Sequence, residues 1–260
     1  MITRQYAKVA TAWLGTLGSL ALLAMTIPVH AAELRVLSGN GARAAVAELS
    51  ARFERATGHT VSIRFEVNSD VKRLIEAGEP FDVAVLNPPV LDELIKQERI
   101  VAASRAVIGR AGIGAAVRSG APKPDISTIA GFKRALLGAN AVTFPGEGAS
   151  GKYFVSVVER LGISAQMKSK LRPMPAENNV ELVAKGEVDM VVVVASRIAG
   201  VPGVQFVGTI PPELQTWIGF TAGAGSKAKE PEAARALIGF FTAPAAAPLL
   251  QGMGIEPFVE

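Results

Sequence analysis

The sequence predicts an α/β protein of two doubly wound lobes, and three observations predict it. Short apolar runs alternate with runs whose apolar residues recur every three or four positions. Glycines and small polar residues stand where the first kind of run gives way to the second. The alternation continues through nearly all of the chain after residue 31, with no Gly/Ser-rich linker to interrupt it. Such alternation implies parallel sheets with helices on both faces.

Each element has its own signal. Residues 34–37 read as a short strand. Val46, Leu49, Phe53 and Ala56 give 42–57 a helical stripe, and Gly58 stops it. Val61, Ile63, Phe65 and Val67 alternate with polar residues, the pattern of a half-buried strand. Asn68 or Ser69 caps a helix that ends at Gly78. Residues 81–86 are almost continuously apolar, as in a strand buried on both faces. Pro88 and Pro89 open the next helix.

The pattern then recurs. A strand at 112–117 precedes a helix capped by Ser127 and carrying Ile129, Phe132 and Leu136. A strand at 141–144 leads through a Gly-rich loop into a helix at 150–161. A helix near 179–185 precedes the very apolar strand 189–195. Strands follow at 204–207 and 217–222. Pro231 opens a helix with Ala234, Leu237, Ile238 and Phe241 inward, and a last helix lies near 245–251. No sequence repeat is evident. The element order suggests a first lobe of 32–112 plus 218–260 and a second of 113–217.

The N-terminus reads as an export signal. Arg4 and Lys8 precede an uncharged stretch, 10–27, and Val29-His30-Ala31 offers small residues for cleavage after Ala31. An uncleaved anchor is the other reading of that stretch, and Gly15, Gly18 and Pro28 speak for the cleaved peptide. The chain has no Cys, so neither a lipid-modified Cys nor a disulfide is expected. Lys and Arg total 27 against 23 Asp and Glu; without Arg4 and Lys8 the balance is 25 against 23, or +2. No basic tail or basic–aromatic interleaving accompanies it, so nucleic acid is not an expected partner. No later apolar run reaches spanning length. The expected product is a soluble, periplasmic monomer.

Groups for covalent chemistry are scarce. His59 is the only His beyond the signal and sits in a Gly-His-Thr turn, where a solvated turn residue is the plain reading. Without Cys, the usual zinc and iron–sulfur ligand sets are missing. No Gly-x-Ser-x-Gly elbow surrounds any Ser. These absences point to binding rather than reaction; a hydrolase using Ser150 is the enzymatic counter-reading.

The binding signals are four strand-to-helix junctions: Ser38-Gly39-Asn40-Gly41, Asn68-Ser69, Gly148-Ala149-Ser150-Gly151 and Asn178-Asn179-Val180. Each sets free backbone N–H groups at the positive end of a helix, which suits an anion. Each alone is an ordinary cap. Four on alternating βα units converge at the carboxyl ends of strands, where open α/β sheets bind ligands. Residues 146–152 also fit G-x-x-x-x-G-K, but Tyr153 follows where a nucleotide site needs Ser or Thr. Arg43, in the first turn after the first junction, could grip an oxyanion or carboxylate if it turns inward.

With these junctions in place, the chain resembles the periplasmic molybdate-binding protein family, a branch of the type II solute-binding proteins of ABC importers. The resemblance runs from Leu34-Arg35-Val36-Leu37-Ser38 through Ile75-Glu76-Ala77-Gly78-Glu79-Pro80-Phe81-Asp82-Val83. It continues at Ala149-Ser150-Gly151-Lys152-Tyr153, at Gly186-Glu187-Val188-Asp189 and in the helical tail Leu237-Ile238-Gly239-Phe240-Phe241. It implies the periplasmic-binding-protein type II fold: two α/β lobes joined by two crossing strands, with a ligand cleft between them. It also implies capture of a tetrahedral oxyanion, molybdate or tungstate, by neutral donors, and delivery to a membrane permease. Carried over, the ligand residues are Ser38, Asn40 and Gly41 from the first loop, Asn68 and Ser69 from the second, Ala149 and Ser150 from the third, and Val180 from the fourth. No cofactor or metal cation is implied. The chain departs from the family at Gly41, where Ser is expected, at Val194, where Tyr is expected, and at Glu147, a carboxylate beside an anion site. An organic anion, or a sensory module without a permease, are the readings those departures open.

Overall fold

The fold is described from a computed structural model, over residues 31–175 and 178–257. The export signal expected at 1–31 lies outside this range but for Ala31. The first lobe opens with β1 (Glu33–Gly39), α1 (Arg43–Thr57), β2 (Thr60–Glu66), α2 (Asn68–Glu76), β3 (Val83–Leu86) and α3 (Pro88–Lys96). A long strand, β4 (Ala106–Arg118), leaves it. The second lobe holds α4 (Ile129–Gly138), β5 (Val142–Pro145), α5 (Ala149–Arg160), α6 (Ser164–Met167), β6 (Leu171–Met174), α7 (Asn179–Lys185), β7 (Met190–Val194) and β8 (Val204–Thr209). The chain returns through β9 (Trp217–Ala224) to α8 (Pro231–Thr242), α9 (Ala247–Gly252) and β10 (Glu256–Pro257).

One sheet path runs β2-β1-β3-β9-β4-β7-β5-β6. The two lobes build their parts of it alike. In the first, β1 lies between β2 and β3, all parallel. In the second, β5 lies between β6 and β7, again parallel. The crossing strands β9 and β4 run antiparallel to these inner edges and to each other. The sheet is therefore mixed, where the strand–helix alternation implied parallel pairing only. β4 divides its pairing: 106–112 lie against β9, and 113–118 against β7 and β8. That length exceeds the strand read from 112–117, because its first half carries Gly109 and Arg110 and lacks a continuous apolar signature.

Double winding is visible in the strand faces. β1 sends Leu34 and Val36 into the main core and Leu37 into a second core beneath α2 and α3. β3 does the same, with Val83 and Val85 on one face and Ala84 and Leu86 on the other. α1 brings Val46, Leu49 and Phe53, and α8 brings Ala234, Leu237 and Phe241, to the main core. Burial of each large apolar side chain of this kind is worth about 1.5–3 kcal/mol. Asp82, almost wholly buried at the start of β3, accepts the Arg35 and Lys229 N–H groups at 2.8 Å each and so ties β1 to the entry of α8.

Several caps differ from the sequence reading. Val67, not Asn68 or Ser69, is the N-cap of α2, because the Asn68 side chain is engaged elsewhere. Thr128, not Ser127, caps α4, accepting the Gly131 N–H at 3.1 Å, while Ser127 donates to Asp125. β6, exposed along much of its edge and containing Pro173, gave no strand signal. His59 is more than a solvated turn residue: it stacks on Phe53, and its Nδ1 accepts the Ala32 N–H at 3.0 Å.

Candidate functional site

The pseudo-symmetric build brings the ends of β1, β2 and β3 to face the ends of β5 and β7 across a cleft. Asn40, Gly41, Val67, Asn68 and Asn87 form the first wall. Pro145, Glu147, Gly148, Ala149, Ser150, Val193, Val194 and Arg197 form the other, and Ile218 of β9 lies at the base. The structure thus brings Asn40, Gly41, Asn68, Ala149 and Ser150 together. It places Ser38 elsewhere: wholly buried in β1, with its hydroxyl turned to the Gly39 carbonyl at 3.2 Å. Ser69 is exposed and faces Asp70. Val180 is wholly buried in the main core. None of these three lines the cleft.

Close backbone approaches explain the glycines here. A Cβ on Gly39 would come within 2.9 Å of Asn68 Nδ2, and one on Gly41 within 2.9 Å of Phe220 Cε1. Gly41 is therefore a packing requirement: Phe220 of β9 occupies the space a Ser side chain would need. On the second wall Gly148 takes φ 94° as the N-cap of α5. A Cβ on Gly151 would fall 1.7 Å from the Pro145 carbonyl oxygen. The first turn of α5 so lies directly on the end of β5, and the N–H groups of Ala149 and Ser150 stand at the cleft without intrahelical partners. Tyr153, one turn on, faces away and donates to the Leu214 carbonyl at 2.9 Å, anchoring α5 to the approach to β9.

The charges are distributed unequally. Arg197 is in the cleft wall yet only 8% exposed. It ends the 3-10 turn Ala195–Arg197 that follows β7. Ser196 of the same turn donates to the Gly41 carbonyl across the lobes at 2.7 Å. Arg43 does not line the cleft. Its Nη2 donates to Asn40 Oδ1 at 2.8 Å and its guanidinium lies 4.5 Å from the centre of the Phe65 ring, so it braces Asn40 from behind. Glu147 is exposed at the mouth. Arg73 of α2 has its pKa raised, first by its hydrogen bond and attraction to Asp70 and in smaller part by attraction to Glu147.

Arg197 and Asn87 were missed by sequence reasoning, which weighed helix N-termini and overlooked residues just past strand ends. Their signal was position: Asn87 directly follows β3, and Arg197 stands three residues beyond β7. The ensemble offers a buried guanidinium, a helix N-terminus and side-chain amides to a small anion, with one carboxylate at the entrance.

Comparison with known proteins agrees with this architecture. Residues 34–256 match the family described as bacterial extracellular solute-binding protein. A protein from Pseudomonas sp named aconitate isomerase is 33% identical over 254 residues, covering 94% of this chain and 97% of that one. Among solved structures, the periplasmic molybdate-binding protein of Azotobacter vinelandii superposes with a TM-score of 0.74 at 18% identity, over 87% of this chain and all of that one. The sulfate-binding protein of Mycobacterium tuberculosis H37Rv gives 0.65 at 19% identity, over 87% of each. These two likenesses carry the fold alone.

Proposed function

The chain belongs to the bacterial extracellular solute-binding proteins, and we propose that its cleft closes on a small organic polycarboxylate, which it hands in the periplasm to a membrane permease. The observation that carries this reading is Arg197, a cation nine-tenths buried in the cleft wall. A guanidinium presents a planar fork that matches a carboxylate in two parallel hydrogen bonds. A tetrahedral oxyanion held by neutral donors has no need of it. The molybdate pattern also lacks its Ser at Gly41 and its Tyr at Val194. The relative named for aconitate, a tricarboxylate, puts tricarboxylates first among the ligands to try.

Closure would bring the α5 N-terminus and Asn68 onto the anion beside Arg197, and exclusion of water strengthens each of those hydrogen bonds. Thermal melting of the protein against aconitate, citrate, molybdate, tungstate, sulfate and phosphate tests the reading. A ligand at 100 times its Kd adds about 2.7 kcal/mol, a shift of degrees. Stabilisation by tricarboxylates alone supports it; stabilisation by molybdate and tungstate alone overturns it.

The same relative and one residue favour a second reading. Glu147 is a carboxylate at the cleft, able to take a proton from one carbon of an unsaturated acid and return it to another. In that reading the protein interconverts the geometric isomers of aconitate, and Glu147→Gln abolishes the reaction while leaving binding. Following cis-aconitate by proton NMR in the presence of the protein decides it: no new isomer over hours sinks this reading.

A further inference from the structure

Two neighbouring amides in the cleft are fixed by the backbone in opposite senses. Asn68 Oδ1 accepts the Asn87 N–H at 2.8 Å, which leaves its NH2 to offer. Asn87 Nδ2 donates to the Gly219 carbonyl of β9, also at 2.8 Å. Only the NH2 of an amide can serve a carbonyl, so the Asn87 orientation is set and its own carbonyl oxygen is the end left over. Among the described residues no donor meets that oxygen. Both residues line the cleft.

Neither amide can turn over. Reversal at Asn87 would set oxygen against the Gly219 carbonyl. Reversal at Asn68 would set its NH2 against the Asn87 N–H. Asn68 also lies directly over Gly39, where even a methyl group would come within 2.9 Å of it.

A fully deprotonated anion finds use for donors only, and an acceptor fixed beside it repels. A ligand that carries both a carboxylate and a hydroxyl satisfies every group. We infer that Asn87 is a specificity-determining residue that accepts a hydrogen bond from a ligand hydroxyl, while Asn68 and Arg197 donate to carboxylates. The cleft then prefers hydroxy-polycarboxylates to their deoxy counterparts. This rests on the polycarboxylate reading above. Sites built to pair with a hydroxyl discriminate strongly against ligands lacking it, because the partner in the site is left unmet.

Calorimetric titration of the purified protein with matched pairs tests it: citrate against tricarballylate, which differ by one hydroxyl, and malate against succinate. The expected result is at least about 10-fold tighter binding of the hydroxy member in one pair. Asn87→Leu then brings the two members level, with its unliganded melting curve reporting that it still folds. Equal affinity within both pairs in the unaltered protein overturns the inference and leaves the polycarboxylate reading standing. So does a hydroxyl preference that persists in a folded Asn87→Leu. Binding of no carboxylate in either pair overturns both together. The pairs are compared in the unaltered protein, so the test holds even where the variant fails to fold.

Discussion

Ser196 and Gly41 join the lobes directly: the Ser196 hydroxyl donates to the Gly41 carbonyl at 2.7 Å, turn against turn, beside the cleft. Ser196 is 3% exposed, so water is a poor substitute for either partner. Ser196→Ala is expected to lower stability by about 1 kcal/mol and to hasten ligand release several-fold. Denaturant unfolding and stopped-flow release measure the two effects. Unchanged release would mean that this bond does not report on closure.

Arg197→Ala should weaken carboxylate binding by about 30-fold or more, since removing one partner of a desolvated charge pair costs about 2–5 kcal/mol. Arg197→Lys keeps the charge and loses the fork, so an intermediate loss is expected. Full carboxylate affinity in Arg197→Ala would remove the basis for the proposed ligand class.

Gly41→Ser restores the residue of the molybdate pattern, yet it should not restore molybdate binding. Its Cβ would lie 2.9 Å from Phe220 Cε1. Overpacking of this kind costs about 1–3 kcal/mol. Phe220→Leu in the same chain should recover part of that loss in a melting experiment.

Two other glycines should move in opposite directions. Gly151→Ala drives a methyl into the Pro145 carbonyl and should cost about 3 kcal/mol or more, displacing the first turn of α5. Gly239 is an exposed position inside α8 with open space around its Cα, and Gly239→Ala should stabilise by about 0.5–1 kcal/mol. Urea midpoints for the two variants check both signs.

The α2–α3 contact predicts a pH dependence. Lys72 lies 2.6 Å from Glu93 and 3.6 Å from Glu76. The hydrogen bond to Lys72 holds the Glu93 carboxyl below its ordinary value of 4.5, and the same bond raises Lys72 above 10.5. The Glu93 contribution is complete above its ordinary value and vanishes as pH falls through the depressed one. The Lys72 contribution is complete below its ordinary value and vanishes as pH rises through the raised one. The melting difference between the natural chain and Lys72→Met should be small, flat between those limits, and closed outside them. Exposure and salt both limit its size.

Much of the fold was legible because its signals are local. Alternation at Val61, Ile63 and Phe65, the stripe through Val46, Leu49 and Phe53, and the αL stop at Gly58 each reflect a period or a backbone angle that needs no partner. The caps of α2 and α4 were misplaced because tertiary partners decided them: Asn68 turned to Asn87, and Thr128 reached Gly131 first. Three of the four junction loops contribute described residues to the cleft, since strand ends gather by topology alone. What the sequence concealed were groups whose role depends on a distant chain segment. Gly41 is explained only by Phe220, Asn87 only by Gly219, and Arg197 only by the face that β7 turns toward α5.

The order of strands also sets the order of completion along the growing chain. β5, β6 and β7 can pair as soon as they exist, and β4 is already present to close their inner edge. The first lobe has no such companion: Leu86 must wait for Thr221, and until β9 appears the inner edge of β3 offers its peptide groups to any passing strand. The lobe synthesised first is therefore the lobe finished last. Premature truncation anywhere before β9 leaves an unguarded edge, and helper proteins that shield extended segments have most to do there.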